Sequence, residues 1–267
     1  YGEFTPGYRP IYHFARNSNK NVKIFTIQHG NANTNLIYNL SDKSEFTTNF
    51  INTGKIYSPC PDVYFTHGPQ FNKILNSYFK SSKIIGPLKY DNNLVLKKRN
   101  NSFKTKRDRK KNILICPSIG DHEIILNFLK LAVNEKHNFI LSPHPVYSKY
   151  VNEYLVELKK NCKIFYSKNK TTSELLKKTD LVICGFSTIA QEAAILGVPS
   201  IRLLNLEKPY FHDIQDRIKI VSDAEILKSI LNKENFNIFL GNKKLIEKKF
   251  YYKLDNKAFM RFEQFLK

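Results

Sequence analysis

Between residues 112 and 203 short apolar runs alternate with longer stretches of helical periodicity, a rhythm that confines the chain to an α/β fold with a parallel sheet. Residues 112–116, 139–142, 163–166, 181–184 and 199–203 read as strands. Asp121 stands as a helix N-cap ahead of Ile124, Ile125, Phe128, Leu129, Ala132 and Val133, and residues 150–158, 173–178 and 188–196 read as further helices. The span describes one Rossmann-like domain. Upstream, residues 22–27, 63–66 and 83–85 are short strands with a helix over 71–79, which amounts to part of a second sheet.

Two basic segments punctuate this pattern. In residues 97–111 nine of fifteen positions are Lys or Arg and apolar residues nearly vanish, the composition of a solvated linker. From 243 to 267, Leu245, Phe250, Leu254, Phe259 and Phe262 are set among lysines, a basic amphipathic helix that packs across the first domain or lies on a membrane. The organisation expected is a short N-terminal domain over 1–92, a basic linker over 93–111, a second Rossmann-like domain over 112–242 and a C-terminal helix over 243–267.

Lys and Arg outnumber Asp and Glu by 43 to 23, and the net charge of +20 draws polyanions such as nucleic acid, anionic lipid and charged polysaccharide without choosing among them. The longest apolar stretch, 181–201, is interrupted by Ser187, Thr188, Gln191 and Glu192, so no run of the roughly 20 apolar residues that cross a bilayer is expected. The chain does not open on a basic start followed by an apolar run, and a cytosolic location is expected. Cys60, Cys116, Cys162 and Cys184 are widely spaced, which speaks against a zinc site or a disulfide framework. Cys116 and Cys184 read as small core residues.

Chemistry concentrates where the expected strands end. Cys184-Gly-Phe-Ser-Thr-Ile-Ala-Gln-Glu runs from a strand through a small-residue turn into a helix, so Ser187 and Thr188 present hydroxyls and backbone N–H groups where an anion is favoured. The plain alternative is that Ser187 only caps the helix. Gly185 permits close approach, and the carboxylate of Glu192, one turn further on, can accept from two ribose hydroxyls. Ser142-Pro-His144-Pro145 follows another strand of the same sheet, at the carboxyl edge where open α/β sheets bind ligands, and offers a constrained imidazole as donor to a phosphate oxygen.

Thr26-Ile-Gln-His29-Gly30 ends a strand of the first sheet. Gly30 allows a sharp turn and His29 titrates in the range a general base needs, the alternative being a histidine bonded to a neighbouring carbonyl. Thr66-His67-Gly68-Pro69 ends the next strand, and His67 is either a cleft residue or a structural one. In Pro117-Ser118-Ile-Gly120-Asp121 the glycine ahead of a helix admits a phosphate or sugar, or is simply a turn. The sequence carries no Walker loop, Gly-x-Gly-x-x-Gly fingerprint or Gly-x-Ser-x-Gly elbow, which argues against ATPase, dehydrogenase and hydrolase classes. With no Asp-x-Asp pair either, a bound phosphate is expected to be neutralised by helix ends, histidine and Lys or Arg rather than by a metal.

The ordered set Gln28-His29-Gly30, His144-Pro145 and Ser187-Thr188 with Glu192 resembles the GT-B enzymes of bacterial surface polysaccharide assembly: capsule Kdo transferases, bacterial polysialyltransferases and teichoic acid CDP-glycerol glycerophosphotransferases. The resemblance spans roughly residues 22–203 and implies an α/β, GT-B-like fold, two Rossmann-like domains facing a cleft, the N-terminal one here short or incomplete. It implies His29 as catalytic base and the His144-Pro145 histidine with Ser187 and Thr188 at the donor phosphate; the residue reading adds Ser118 and Gly120 to the donor site, Glu192 at the ribose and His67 at the acceptor or cleft. The implied activity is metal-independent transfer of a sugar from a nucleotide-activated donor, without a further cofactor. The acceptor is an anionic or lipid-linked capsule or lipopolysaccharide glycan at the cytoplasmic face of the membrane, and nucleic acid is not a partner. The glycerophosphotransferases carry an Asp just before the aromatic and the Ser pair, where this chain has Gly185, so a CMP-linked acidic sugar is expected ahead of CDP-glycerol. The rival readings are a UDP-sugar hexosyltransferase, a UDP-N-acetylglucosamine 2-epimerase-like enzyme, and a non-catalytic polyanion binder using the two basic segments.

Overall fold

The computed structural model describes residues 9–19, 21–28, 61–76, 81–91, 109–118, 120–204, 216–233 and 235–267. In chain order the elements are α1 (Arg9–Ser18), β1 (Phe25–Ile27), β2 (Val63–Thr66), α2 (Pro69–Asn76), β3 (Ser82–Ile84), β4 (Asn112–Cys116), α3 (His122–Ala132), β5 (Asn138–Leu141), α4 (Val151–Leu158), β6 (Lys163–Tyr166), α5 (Thr172–Leu176), β7 (Leu181–Cys184), α6 (Ile189–Leu196), β8 (Ser200–Leu203), β9 (Lys219–Val221), α7 (Ala224–Leu231), α8 (Lys243–Ile246) and α9 (Ala258–Leu266). They fall into two units, Leu94–Ile246 and Tyr1–Asn93 with Glu247–Lys267.

The larger unit carries a six-stranded, wholly parallel sheet in the order β6-β5-β4-β7-β8-β9. Its central strands are continuous apolar runs because helices cover both faces. On one face Ile113, Ile115, Leu181, Ile183, Ile201 and Leu203 pack against α3, α4 and α7 in the main core. The alternate residues of β7 and β8 face α6, whose Ala190, Ala193 and Ala194 let helix and sheet approach closely. Gly197 ends that helix in the left-handed region at φ 69°, its N–H turned back to the Ala193 and Ala194 carbonyls. The start of β4 is fixed by Asp180, whose carboxylate accepts from the Asn112 N–H at 2.8 Å and from Arg109 at 2.7 Å. The last residues of the basic segment are thus docked; residues 97–108 of it lie outside the described residues.

The smaller unit is built on three parallel strands, β1-β2-β3. Phe65 of β2 meets Phe262 edge-on at 5.0 Å and Phe265 at 5.8 Å, so the C-terminal helix α9 supplies part of this unit's apolar contact. The sequence reading of 243–267 as one helix is corrected here. α8 widens into a π-helical turn over Glu247–Tyr251, the chain reverses through left-handed Tyr252 and Asn256, and α9 starts afresh. The restart is imposed from a distance: the Asp91 carboxylate accepts from the Ala258 and Phe259 N–H groups at 3.1 and 2.6 Å and caps α9. Arg261 then donates to the Ile85 carbonyl at 2.6 Å and pairs with Asp255. Among the described residues no helix is long and apolar enough to cross a membrane.

The edge strand β9, the helix α7 and the helix α1 were not assigned from sequence, whereas the other strands lie within a few residues of their expected bounds. His137, between α3 and β5, ties α7 to the sheet: its ring meets the Leu231 carbonyl at 2.6 Å and lies edge-on to Phe139 and Phe236. Its other ring nitrogen is buried without a partner, and burial pushes its pKa below the ordinary histidine value. The folded state therefore favours neutral His137, a contribution to stability present above about pH 6.5 and lost as pH falls through the depressed value. The melting temperature is expected to decline on acidification below about pH 6.5, and less so in His137→Gln, which cannot gain a proton. Equal slopes in the two proteins would remove His137 as the source.

Candidate functional site

The strand order reverses at β4: the chain runs outward through β5 and β6, then returns to place β7 on the other side of β4. The loops leaving β4 and β7 diverge at their carboxyl ends, the place where open parallel sheets bind ligands. Because β5, β4 and β7 are neighbours in register, the residues after them emerge on one sheet edge: Ser142–His144, Pro117–Asp121 and Gly185–Thr188. Five residues or groups singled out from sequence, Ser118, Gly120, His144 with Pro145, Ser187 with Thr188, and Glu192, are thus brought to one side of one unit. His67 lies in the other unit, buried at 7% exposure with its ring against Tyr251, the setting of a packed histidine rather than of an open-cleft residue. His29 lies outside the described residues; the neighbouring Gln28 accepts from the His67 N–H at 2.7 Å.

His144 is anchored by its backbone, the N–H donating to the Pro117 carbonyl at 2.9 Å, so the loops after β5 and β4 are tied together. Pro145 opens a short 3₁₀ turn, Pro145–Tyr150, which Tyr150 closes by stacking on His122 at 4.2 Å. Ser142 reaches the Thr172 hydroxyl at 3.2 Å, and Ser173 donates to Glu192 at 3.4 Å, binding the start of α5 to the same edge. Glu192, on α6, is 6% exposed.

Ser187 does cap α6, its hydroxyl accepting from the Ile189 N–H at 3.3 Å, whereas the hydroxyl of Thr188 makes no capping bond. Gly120 sits at φ 81° with open space where a Cβ would be, so backbone conformation rather than crowding requires glycine there. Asp121 corrects the sequence reading. It occupies the N-cap position of α3, yet its side chain makes no capping bond. Instead one oxygen accepts from the Ser118 N–H at 2.6 Å and the other from the Phe186 N–H at 2.8 Å, bridging the two diverging loops. Gly185 is explained by the same carboxylate, which a Cβ at that position would strike. Burial raises the Asp121 pKa above the usual carboxylate range, against the pull of the two N–H groups and of Arg202.

Sequence reasoning missed Arg202 and Asp216 altogether. Arg202 lies in β8 at 1% exposure, donating to the Gly185 carbonyl, to the Ser187 carbonyl at 3.0 Å and to Asp216 at 2.6 Å. Asp216 in turn accepts from Gln191 of α6 and from the Ile218 N–H. A charged residue amid an otherwise apolar strand was the one available signal. Burial pushes the flanking Cys184 thiol up to about 12 and Cys116 well above its ordinary value. Among the described residues no group of three His, Cys, Asp or Glu is arranged to hold a metal ion.

Two parallel-stranded, Rossmann-like units of this kind make a GT-B-like α/β fold. The chain is similar to the wall teichoic acid polymerase TagF soaked with CDPG, at 19% identity and TM-score 0.53 over 78% of this chain and 56% of that one. It is also similar to the UDP-GlcNAc 2-epimerase of Neisseria meningitidis bound to UDP-GlcNAc, at 13% identity and TM-score 0.57 over 97% and 80%. A third similar structure is S. aureus MnaA with UDP, at 11% identity and TM-score 0.56 over 97% and 77%. The chain spans a little over half the length of the TagF structures it matches. At these identities the likeness establishes the fold. No family model and no curated protein matches the chain.

The buried Arg202–Asp216 pair supplies a stability test. Arg202→Met leaves Asp216 charged and unpaired in the interior and is expected to cost about 3–5 kcal/mol. Adding Asp216→Leu should recover part of that loss in the double variant, read as the midpoint of urea unfolding. A single variant as stable as the wild type would show that the pair does not hold the β7–α6 turn.

Proposed function

We propose that this chain is a GT-B glycosyltransferase that moves a sugar from a nucleotide-activated donor onto a bacterial surface glycan. The observation that carries the reading is the delivery of the Ser118–Gly120 turn, His144 and the Ser187–Thr188 helix start to one sheet edge at the strand-order reversal. These groups suit a departing nucleotide phosphate, with His144 as hydrogen-bond donor and the start of α6 as the positive end of a helix dipole. Glu192, with Ser173 bonded to it, is suited to the ribose. His29, in the smaller unit, is assigned the acceptor proton as general base. The phosphate charge is assigned in this reading to helix ends, histidine and Lys or Arg side chains rather than to a metal or other cofactor.

For the donor we favour a CMP-linked acidic sugar over CDP-glycerol, because Gly185 replaces the Asp of the glycerophosphotransferases and its space is taken by Asp121. The acceptor proposed is an anionic or lipid-linked capsule or lipopolysaccharide glycan, in keeping with the net charge of +20, and the site of action is the cytoplasmic face of the membrane. A second reading, an epimerase acting on a UDP-sugar, is favoured by the likeness to the 2-epimerase, which runs over 97% of the chain. Incubation with UDP-GlcNAc and no acceptor separates the two, since only an epimerase converts it.

Thermal shift against CMP, CDP, UMP, UDP and GDP identifies the nucleotide, because a ligand of the native state raises the melting temperature by mass action. Stabilisation by CMP or CDP is expected; a preference for UDP points instead to a hexosyltransferase. His144→Ala is expected to lower turnover about a hundredfold while the protein stays folded. Transfer at the parent rate in that variant would refute the site.

A further inference from the structure

Resting on the reading of this edge as a nucleotide site, we propose that Asp121 is the positioning residue of the donor-phosphate loops. Its carboxylate sets the separation and aim of the β4 and β7 loops between which the phosphates bind.

The two oxygens of that carboxylate divide between the loops. Each accepts from a different loop, Ser118 on one side and Phe186 on the other, and the side chain is fully buried. The loops diverge from adjacent strands, so without a bridge their separation is set only by the strands' own spacing. The β7 loop is fixed from beneath as well: Arg202 holds the carbonyls of Gly185 and Ser187 while Asp121 holds the Phe186 N–H that lies between them. A loop whose carbonyls and central N–H are all engaged inward has a single conformation. What it leaves outward is the helix start at Ser187 and Thr188, which is where a phosphate is expected. Gly185 admits the carboxylate by lacking a Cβ, so the two residues form one fitted pair. The Phe186 N–H is therefore a structural donor, withdrawn from the ligand.

The bridge depends on ionisation, since a protonated oxygen is a poorer acceptor for an N–H. Asp121 faces Arg202 from β8, His122 from its own helix, Tyr154 from α4, and the thiols of Cys116 and Cys184 from β4 and β7. Arg202 and His122 favour the charged form, while burial, the larger effect, opposes it, so the proton is gained closer to neutrality than by an ordinary aspartate.

The test measures binding of CMP, CDP and UDP by calorimetry to the wild type, Asp121→Asn and Gly185→Ala, with hydrogen exchange at Ser118 and Phe186 in the unliganded proteins. Asn keeps one acceptor but turns an NH₂ toward the other N–H; the added Cβ displaces an intact carboxylate. Both variants are expected to bind the nucleotide at least tenfold more weakly at about pH 7.5 and to lose protection at Ser118 and Phe186. The ratio of wild-type to Asn-variant affinity, in which protonation of the nucleotide itself cancels, should narrow toward one as the solution is made acidic. A purely structural residue would not produce that convergence. Should one variant fail to fold, the other decides. Nucleotide affinity equal to wild type in a folded variant, or a ratio flat with pH, overturns the proposal and leaves the nucleotide site standing. If none of the three nucleotides binds the wild type, the site reading falls and this inference with it.

Discussion

A carboxylate with no room to move, shared between two backbone N–H groups from loops that part company, is the constraint on which the candidate site depends. A parallel sheet that reverses its strand order opens a gap at the reversal, and the gap is useful only if its walls are fixed. Here the walls are fixed from inside the unit. Asp121 joins them, Arg202 anchors the second wall from below, and Asp216 neutralises Arg202 and reaches Gln191 on the helix that forms the floor. A buried ion pair is seldom a net source of stability, because desolvating two charges offsets their attraction. Its retention beneath a loop whose carbonyls it engages is better understood as fixing geometry.

The division of labour between side chain and backbone follows from this arrangement. The Ser187 hydroxyl accepts from the Ile189 N–H at the start of α6, while that of Thr188 makes no capping bond. Glu192 is mostly buried yet linked to Ser173, so its carboxylate is oriented before any ligand arrives. His144 is held through its main chain, its N–H on the Pro117 carbonyl. A rigid backbone is the condition under which electrostatic stabilisation costs no rearrangement at the moment of reaction.

Much of the larger unit was legible in the sequence because strands buried on both faces are apolar runs, as β7 is throughout and β4 is from Ile113 to Cys116. The edge strand β9 escaped because it has three residues, two of them exposed. The site was legible as a set of strand ends but not as a network. Asp121 looks like a cap from its local neighbours, and the Phe186 N–H that claims it is 65 residues away. Arg202 reads as a stray charge until its partners from residues 185, 187 and 216 are seen. The C-terminal segment shows the same limit, since the Asp91 that caps the start of α9 lies 167 residues upstream.

That last contact bears on how the molecule is made. The larger unit is one unbroken stretch, Leu94–Ile246, while the smaller one is assembled from both sides of it, Tyr1–Asn93 and Glu247–Lys267. As the polypeptide leaves the ribosome, the six-stranded sheet has all its strands in hand while Phe65 and the Ile85 carbonyl still await Phe262 and Arg261. The three-stranded sheet thus gains its last contacts only after the six-stranded sheet has been synthesised.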